Sequence, residues 1–411
     1  MPSTIRQPTK VLKDVEHNAN VAILTLAGSM VYEDQLSGGD RIFPELSKRL
    51  DSEKFTVYVL TTDSGRKVWS SAATHESVTK IPSFPFERFA GRNVVPILYV
   101  LRSLLMFAYA LKFVSSARRV VIIYSSSDYL PDTLAPFVLK LLTKKVRWVS
   151  RVYHNIPAPA ERRGNPFVNL LSFASQRLSF LLMKQEANLT LSLNSSVSKE
   201  LEVMGFDKTR LAVSGLGVDA RHIEAVASDG EKNYDGVFLG RLHPTKGIFD
   251  LLEIWAQVVQ KESHAKLAII GGGEKRITHA LSSEIEHRQL KDNIDVLGFI
   301  ANDIAVYRIL KSSKLFLFTD HENGWGLAVC EAMACGLPVV AYDLDIFGSV
   351  YKQGYVTVPL SDTKLFAKKV VELLEDAEKR ADLRDCAQRQ AKSLTWEAIT
   401  DEFSKLLEST I

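Results

Sequence analysis

Two carboxylates flank a glycine-rich turn in the stretch HENGWGLAVCEAMACGLPVV, which runs from His321 to Val340. Glu322 precedes the glycines Gly324 and Gly326, and Glu331 follows them in a run of small and apolar residues. Glycine allows the backbone to approach a ligand closely because it has no Cβ atom. The stretch therefore predicts a ligand-binding turn at the mouth of a buried strand.

A second stretch, GRLHPTKG, places two cations in the loop that follows the strand-like segment YDGVFL. Arg241 offers a planar fork of donors, and Lys246 offers a compact point charge. A helix that starts near Ile248 would add the positive end of its dipole. The combination suits a diphosphate, and a surface loop that merely contains basic residues is the alternative.

Short apolar runs alternate with helical patterns along the whole chain, as is typical of βα units around a parallel sheet. A chain of 411 residues also exceeds what one hydrophobic core usually supports. We therefore predict an α/β protein with two Rossmann-like parallel-sheet domains and a closing helix that packs back on the first domain. The predicted bounds are 1–218 for the N-terminal domain, 219–394 for the C-terminal domain and 395–411 for the closing helix.

The motifs of the second half occur in the order GLGVD, GRLHPTKG, IIGGGE, VLGF and GWGLAVCEAMACGLPVVA. This order and spacing resemble the nucleotide-sugar domain of retaining GT-B glycosyltransferases, the group 1 type often called family 4. In the first half, GGDRIFPELSKRL resembles, more weakly, the glycine loop and following helix of the same family. The resemblance implies the GT-B architecture, in which two Rossmann-like domains face an interdomain cleft. It assigns the donor to the C-terminal domain and the acceptor to the N-terminal one.

The resemblance also implies roles for single residues. Arg241 and Lys246 match the cationic pair on the donor diphosphate, and Glu331 matches a glutamate that binds the ribose hydroxyls. A carboxylate is suited to accept hydrogen bonds from two hydroxyl groups. The other residues that match the donor site are glycines and their neighbours in turns: Gly38, Gly39, Gly240, Gly324, Trp325, Gly326 and Leu327. For Gly38 and Gly39, a mobile polar turn is the alternative.

The first half adds a histidine and an acceptor pair. His154 follows a strand where the family has a histidine that contacts the donor sugar. A lone histidine is more often a structural hydrogen-bonding residue, which is the alternative here. Asp128 and Tyr129 follow another strand and are the weaker candidates for the acceptor site.

One position departs from the family pattern. The family places its first glutamate eight positions before the second, and that position is Asn323 in this chain. Either Asn323 takes the sugar-hydroxyl role, or a local bulge brings Glu322 into it. We favour Asn323 because an amide can both donate and accept hydrogen bonds. A degenerate site is the remaining alternative.

The implied reaction moves a hexosyl group from a nucleotide diphosphate sugar to a hydroxyl acceptor. It retains the anomeric configuration and uses no metal ion or cofactor. No carboxylate is an evident covalent nucleophile. The resemblance to the family implies that the leaving phosphate itself takes the acceptor proton, while the loop cations stabilise its charge. The alternatives are transfer to a soluble acceptor, a nucleotide-sugar epimerase and a non-catalytic sugar-nucleotide-binding subunit.

Charge is distributed unevenly along the chain. Before Asp219 there are 28 basic and 18 acidic residues, and from Asp219 onward there are 23 basic and 30 acidic ones. Nine basic residues and the single acid Glu161 lie between Lys140 and Lys184, interleaved with apolar side chains. We expect this half to face an anionic membrane surface or a lipid-linked acceptor, with a solvated basic face as the alternative. We expect no nucleic-acid partner because the chain contains no recognised binding module.

An apolar segment at 95–114 is nearly long enough to span a bilayer. Because Pro96, Arg102 and Lys112 interrupt it, we expect a buried or half-buried helix, with a membrane-surface or acceptor-groove helix as the alternative. The three cysteines are too few and too scattered for a disulfide framework or a zinc site. The N-terminal stretch is polar and has no apolar signal region. We therefore expect a cytoplasmic protein that is peripheral on the inner face of the membrane.

Overall fold

A computed structural model describes residues 20–28, 38–63, 65, 69, 77–84, 95–160, 166–227, 230 and 232–411. The chain forms two compact units. The first unit consists of Met1–Gly215 together with Ile399–Ile411, and the second consists of Leu216–Ala398. Each unit is built on its own parallel sheet.

Within the described residues, the sheet of the first unit has seven strands: β1 (Val21–Ala27), β2 (Phe55–Thr61), β3 (Ser77–Lys80), β4 (Val121–Ser125), β5 (Val146–Val152), β6 (Leu189–Ser192) and β7 (Leu211–Val213). They are all parallel and follow the order β3-β2-β1-β4-β5-β6-β7. The edge strand β3 is short and mostly polar, and its sequence gives no strand signal. The central strands are continuous apolar runs because helices cover both faces of such a sheet.

Helices of the first unit fill the connections between these strands: α1 (Gly38–Ser47), α2 (Val95–Ser116), α3 (Leu130–Leu142), α4 (Pro166–Glu186) and α5 (Ser195–Val203). The helix α3 packs against both α2 and α4. On α2, the side chains of Met106, Ala110 and Phe113 enter the core beneath β1 and β4. The segment predicted as a buried or half-buried helix is therefore a helix with one buried side.

Within the described residues, the sheet of the second unit has six strands: β8 (Tyr234–Leu239), β9 (Leu267–Ile270), β10 (Ile294–Gly298), β11 (Ser313–Phe318), β12 (Val339–Tyr342) and β13 (Tyr355–Val358). The strands are parallel and follow the order β10-β9-β8-β11-β12-β13. This is the strand order of a Rossmann domain, and the order reverses between β8 and β11. Ligands of such sheets bind outside the carboxyl ends of the strands at that reversal.

Helices of the second unit complete its βα units: α6 (Ala220–Ala225), α7 (Ile248–Val259), α8 (Lys275–His287), α9 (Asp303–Lys311), α10 (Leu327–Ala334), α11 (Ile346–Ser349), α12 (Thr363–Glu375) and α13 (Ala377–Lys392). Several of them begin at a capping side chain. Asn302 accepts hydrogen bonds from the first turn of α9, and Asp362 and Asp376 do the same for α12 and α13. Such caps satisfy amides that have no partner inside the helix.

The closing helix α14 (Trp396–Glu408) belongs to the first unit from Ile399 onward. Its Phe403 side chain is fully buried, with ring centroids 6.0 Å from Phe43 and 5.9 Å from Tyr124. The predicted α/β class with two Rossmann-like parallel-sheet domains is confirmed.

Candidate active site

The glycine-rich turn of HENGWGLAVCEAMACGLPVV and the cationic loop of GRLHPTKG lie side by side in the second unit. The loop 240–247 follows β8 and the loop 319–326 follows β11, and these parallel strands are neighbours at the reversal of strand order. The loops are also tied to each other. The Thr319 hydroxyl donates to the Lys246 carbonyl oxygen at 3.0 Å, and the His321 amide donates to the Thr245 carbonyl oxygen at 2.9 Å.

Gly247 permits this close approach of the loops. Its φ is +60°, in the left-handed region, and a Cβ atom there would lie 2.0 Å from the Thr319 carbonyl oxygen. No larger side chain fits unless one loop moves. The glycine that ends GRLHPTKG is therefore required by backbone packing.

An ion pair joins the two loops at the predicted phosphate site. The Lys246 ammonium lies 2.5 Å from Oδ2 of Asp320, a carboxylate that is only 4% exposed. Burial raises the pKa of Asp320, and the ion pair with Lys246 opposes that shift. The pair holds the Lys246 side chain, which is 22% exposed, in one position at the carboxyl end of the sheet.

Asn323 organises the glycine turn. Its Oδ1 accepts hydrogen bonds from the amides of Trp325, at 3.0 Å, and Gly326, at 2.7 Å. Its amide nitrogen donates to Oδ2 of Asp320 at 2.7 Å. The favoured sugar-binding candidate thus uses its carbonyl oxygen and one hydrogen to shape the turn, and the second amide hydrogen is not engaged in these bonds.

The turn leads directly into α10. Gly326 has a φ of +76° and precedes the helix without a side-chain cap, and its carbonyl oxygen accepts a hydrogen bond from the Tyr351 hydroxyl at 2.8 Å. The first amides of a helix have no intrahelical acceptor, so Leu327 supplies one such donor. The amides of Trp325 and Gly326, two residues that match the family's donor site, donate hydrogen bonds to Asn323. The amide of Leu327 at the helix start can therefore donate a hydrogen bond to a ligand.

The two glutamates differ in exposure. Glu322 is exposed, whereas Glu331 is half-buried on α10. The Cys330 side chain beside Glu331 is fully buried, and burial raises the pKa of its thiol well above the ordinary value. Cys335 is also buried, which raises its pKa to about 12. Both cysteines are packing residues, as the sequence suggests.

His243, which lies between Arg241 and Lys246, was not predicted as a site residue. Burial lowers the pKa of His243, and Arg241 adds to the effect. The carboxylates of Glu274 and Glu322 act in the opposite direction and raise the pKa, whereas Lys246 lowers it further. Its Nδ1 accepts the Thr245 amide at 3.2 Å, so the neutral ring carries its proton on Nε2. The signal was a histidine beside the motif arginine.

The orientation of the His321 ring by a carboxylate was also not predicted. Its Nε2 lies 2.8 Å from Oδ2 of Asp250, and the Tyr342 hydroxyl donates to the same oxygen at 2.9 Å. Burial raises the pKa of Tyr342, and the Asp250 carboxylate raises it further. Asp250 stands in the first turn of α7, so the helix after the cationic loop fixes a ring in the neighbouring loop.

The predicted residues of the first unit are placed differently. Gly38 and Gly39 are the first residues of α1, and the preceding residues 29–37 lie outside the described part of the chain. His154 lies in the loop after β5 with its side chain exposed, and its carbonyl oxygen accepts a hydrogen bond from Gln176 at 2.8 Å.

The acceptor candidates lie after β4. Asp128 is 3% exposed and accepts a hydrogen bond from Gln176 at 2.7 Å. Burial raises its pKa to about 7. Tyr129 is half-buried, with its ring 5.7 Å from that of Tyr99. Asp128 therefore faces the interior, whereas Tyr129 is partly accessible.

Across the described residues, no group of three or more histidine, cysteine, aspartate or glutamate side chains is arranged to hold a metal ion.

The second unit is similar to a known protein family. Residues 221–390 match the family Glycosyl transferases group 1. The chain is 28% identical over 221 residues to an uncharacterized glycosyltransferase of Methanocaldococcus jannaschii, covering 44% of this chain and 53% of that protein. It is 26% identical over 216 residues to phosphatidyl-myo-inositol mannosyltransferase of Mycobacterium leprae, covering 51% of this chain and 56% of that protein. The chain thus spans about half the length of these curated relatives.

A solved structure resembles the whole chain. The Anabaena protein HepE in complex with UDP has a TM-score of 0.71 at 16% identity, covering 95% of this chain and 100% of that one. The same protein in complex with UDP-glucose has a TM-score of 0.70 at 18% identity, with the same coverage. The predicted GT-B architecture is confirmed, and residues 221–390 resemble the family Glycosyl transferases group 1.

Proposed function

We propose that this protein is a retaining, hexosyltransferase-type glycosyltransferase of family 4 that takes its sugar from a nucleotide diphosphate sugar. The observation that carries the proposal is the pair of bonded loops at the strand-order reversal of the second unit, with Arg241 and Lys246 in one of them. The UDP and UDP-glucose complexes of HepE support a nucleotide-sugar donor.

In this proposal, the two cations bind the donor diphosphate. Arg241 is exposed and free to turn toward a phosphate, whereas Lys246 is held in place by Asp320. A fixed cation needs little reorganisation when negative charge develops on the leaving group, which is the basis of electrostatic catalysis. The backbone amides at the start of α10 can donate further hydrogen bonds to the sugar or phosphate of the nucleotide sugar.

The chemical step breaks the bond between the anomeric carbon and the diphosphate oxygen. A bond forms on the same side of the ring between that carbon and the acceptor oxygen. The acceptor proton passes to the leaving diphosphate, so the step requires neither a covalent enzyme intermediate nor a metal ion or cofactor. We expect EDTA to leave the rate unchanged.

We further propose that the acceptor is a lipid or lipid-linked glycan at the cytosolic membrane face, where the protein would be peripheral. Three observations support this acceptor. The relative from Mycobacterium leprae is by name a phosphatidyl-myo-inositol mannosyltransferase. The segment 140–184 is strongly basic. The part of α2 from Ile97 to Ser116 is long and apolar enough to cross a membrane by length and composition alone.

The test is a transfer assay with labelled UDP-, GDP- and ADP-sugars and a bacterial lipid extract. We expect one sugar nucleotide to label the organic phase, and Arg241→Ala to lower kcat/KM about a hundredfold. Arg308→Ala, which removes an exposed arginine from α9, is the matched control and should not change the rate. Label found only in water-soluble products would contradict the lipid acceptor. Donor binding without any transfer would contradict the enzyme activity.

A further inference from the structure

Two helices of the first unit expose a regular row of apolar side chains. On α2 the row consists of Ile97, Val100, Leu104, Ala108 and Leu111. On α4 it consists of Phe167, Leu170, Ala174, Leu178 and Leu181. The large side chains of these rows are between 38% and 58% exposed. Both rows repeat at intervals of three and four residues, so each lies on one side of its helix.

The two rows belong to one surface. The helix α3 packs between α2 and α4, and at its end Leu141 and Leu142 are 60% and 64% exposed. The opposite sides of α2 and α4 carry Met106 and Met183 into the cores of the unit, so the rows point away from the sheet. We call the two rows with Leu141 and Leu142 the apolar face.

The apolar face is bordered by positive charge. Exposed cations stand at the ends of α2 and α3: Lys112, Arg118, Arg119, Lys144 and Lys145. Lys145 reaches from the end of α3 to the Ala117 carbonyl oxygen at the end of α2, at 3.1 Å, so the cations of the two helix ends are close together. In the described range 95–160, the acids are Asp128 and Asp132, and both are buried.

From this combination we infer that the apolar face docks on an anionic lipid bilayer, with the side chains of both rows entering the headgroup and upper acyl region. The inference deepens the proposed function and rests on its lipid acceptor. Apolar side chains supply the insertion, and the neighbouring cations supply attraction to anionic headgroups. The absence of exposed acid from this range removes the repulsion that a mixed surface would meet.

The helix α2 lies on the membrane and does not cross it. Its buried side packs in the core of the unit, and its Arg102, 2% exposed, donates to the Gly28 carbonyl oxygen at 3.2 Å. Only one side of the helix is available to lipid. Crossing the bilayer would require these core contacts to break.

The apolar face also reaches the predicted acceptor edge. In βα units the helices run opposite to the strands, so the starts of α3 and α4 lie at the carboxyl ends of β4 and β5. Tyr129 immediately precedes α3 there. A lipid of the docked bilayer that lies beside the starts of α3 and α4 would therefore have its headgroup near the edge that carries Tyr129 and His154.

Vesicle flotation tests the inference without any requirement for activity. The chain is mixed with vesicles of phosphatidylcholine alone or of equal parts phosphatidylcholine and phosphatidylglycerol. We expect binding to the anionic vesicles, weakened but not abolished by salt. The affinity of the variant V100Q/L104Q/L170Q/L178Q for the anionic vesicles should be lower by a factor of about ten or more. The matched control I304Q/L360Q removes exposed apolar side chains of the second unit, 38% and 49% exposed, and should bind like the unaltered chain.

Equal binding of the quadruple variant and the control would overturn the inference. So would a dimer in sedimentation that the quadruple variant converts to a monomer while vesicle binding stays absent, because the face would then join two copies of the chain. Nucleotide-sugar binding is measured on the same samples. If the chain binds a nucleotide sugar but no vesicles, the docking face is wrong and the donor site is supported. If it binds vesicles but no nucleotide sugar, the docking face is supported and the proposed activity is wrong.

A conservative variant decides the matter if the quadruple variant does not fold. Leu104→Trp places a fluorophore on the α2 row, and Leu360→Trp places one on the second unit. With brominated phosphatidylglycerol in the vesicles, we expect additional quenching only for Leu104→Trp. Equal quenching of the two variants in bound protein would contradict insertion of the apolar face.

Discussion

The carboxyl ends of the central strands are built differently in the two units. In the second unit, the loops after β8 and β11 carry charged side chains that remain at least partly accessible, namely Arg241, Lys246 and Glu322. In the first unit, the acidic side chains that follow β4, Asp128 and Asp132, are buried. There Asp132 is fully buried and accepts hydrogen bonds from the Gly28 amide and the Ser127 hydroxyl, each at 2.6 Å.

The difference shows what each edge can offer to a ligand. A buried carboxylate with its hydrogen bonds made inside the protein holds neighbouring backbone in place, and exposing it to a ligand would break those bonds. In the second unit, the cations at this edge are accessible to a ligand. The ion pair of Lys246 with Asp320 is the internal contact that a bound anion would compete with. The second unit therefore has an edge prepared for an anion, while the first unit uses Asp132 for its own architecture.

The largest expected effect breaks the loop contact in the second unit. Gly247→Ala places a Cβ atom 2.0 Å from the Thr319 carbonyl oxygen at a positive φ, so it should lower the free energy of unfolding by about 3 kcal/mol or more. Denaturant titration measures this. Gly298→Ala is the control, because its φ is +70° but nothing lies within 4 Å of the new Cβ, and it should cost about 1 kcal/mol. An equal loss of unfolding free energy in Gly247→Ala and Gly298→Ala would contradict a structural requirement for the close contact of the two loops.

The next effect separates a buried ion pair from an exposed one. Lys246→Ala leaves the Asp320 carboxylate buried without its cation, which should cost about 3 kcal/mol of stability. Adding Asp320→Asn should restore part of the loss because the remaining group is neutral. In the first unit, Lys54→Ala removes the exposed pair with Glu408 and should leave the unfolding transition unchanged. No difference between the two lysine variants in urea titrations would contradict this account of Lys246.

A third effect appears only when the pH is varied, and it concerns the first unit. Burial raises the pKa of Asp128 to about 7, whereas the unfolded chain titrates near ~3.9. The folded state binds this proton more tightly, so the stabilisation is complete below pH ~4 and is lost as the pH rises to about 7. Asp128→Asn should remove a fall in unfolding free energy of up to ~1.4 kcal/mol per pH unit in that window. Thermal melts at several pH values measure this difference.

The control for that experiment is Asp343→Asn, which replaces an exposed carboxylate of the second unit. Its stability profile should run parallel to that of the unaltered chain. A profile of Asp128→Asn that also runs parallel would mean that Asp128 is ionised in the folded protein.

The sequence predicted the architecture well because apolar strands and their loops follow local rules. The run YDGVFL and the glycine of GRLHPTKG specify a strand and a tight connection, and both are found in place. The edge strand β3 was not predicted because its four residues, Ser77–Lys80, include only one apolar side chain. Its position depends on pairing with β2, which is a tertiary contact.

The candidate site was predicted less completely because side-chain partners are set by contacts distant in sequence. Asn323 stands where the family has a glutamate, but only the fold shows that it bonds Asp320 and the turn amides. The bond between His321 and Asp250 joins residues 71 positions apart. Asp128 follows a strand as an acceptor group would, but only the fold shows that it is buried and that Gln176 of α4 donates a hydrogen bond to it.

The most direct test of the central claim is donor binding at the edge of the second unit. Thermal shift is measured with UDP-, GDP- and ADP-sugars for the unaltered chain, for Arg241→Ala and for Arg308→Ala. A ligand at a hundredfold excess over its Kd stabilises the folded state by ~2.7 kcal/mol. We predict a shift with one nucleotide class that Arg308→Ala keeps and Arg241→Ala loses, while the melting temperature without ligand stays the same in all three. The same shift in Arg241→Ala, or none with any sugar nucleotide, would contradict the assignment of this edge as the donor site.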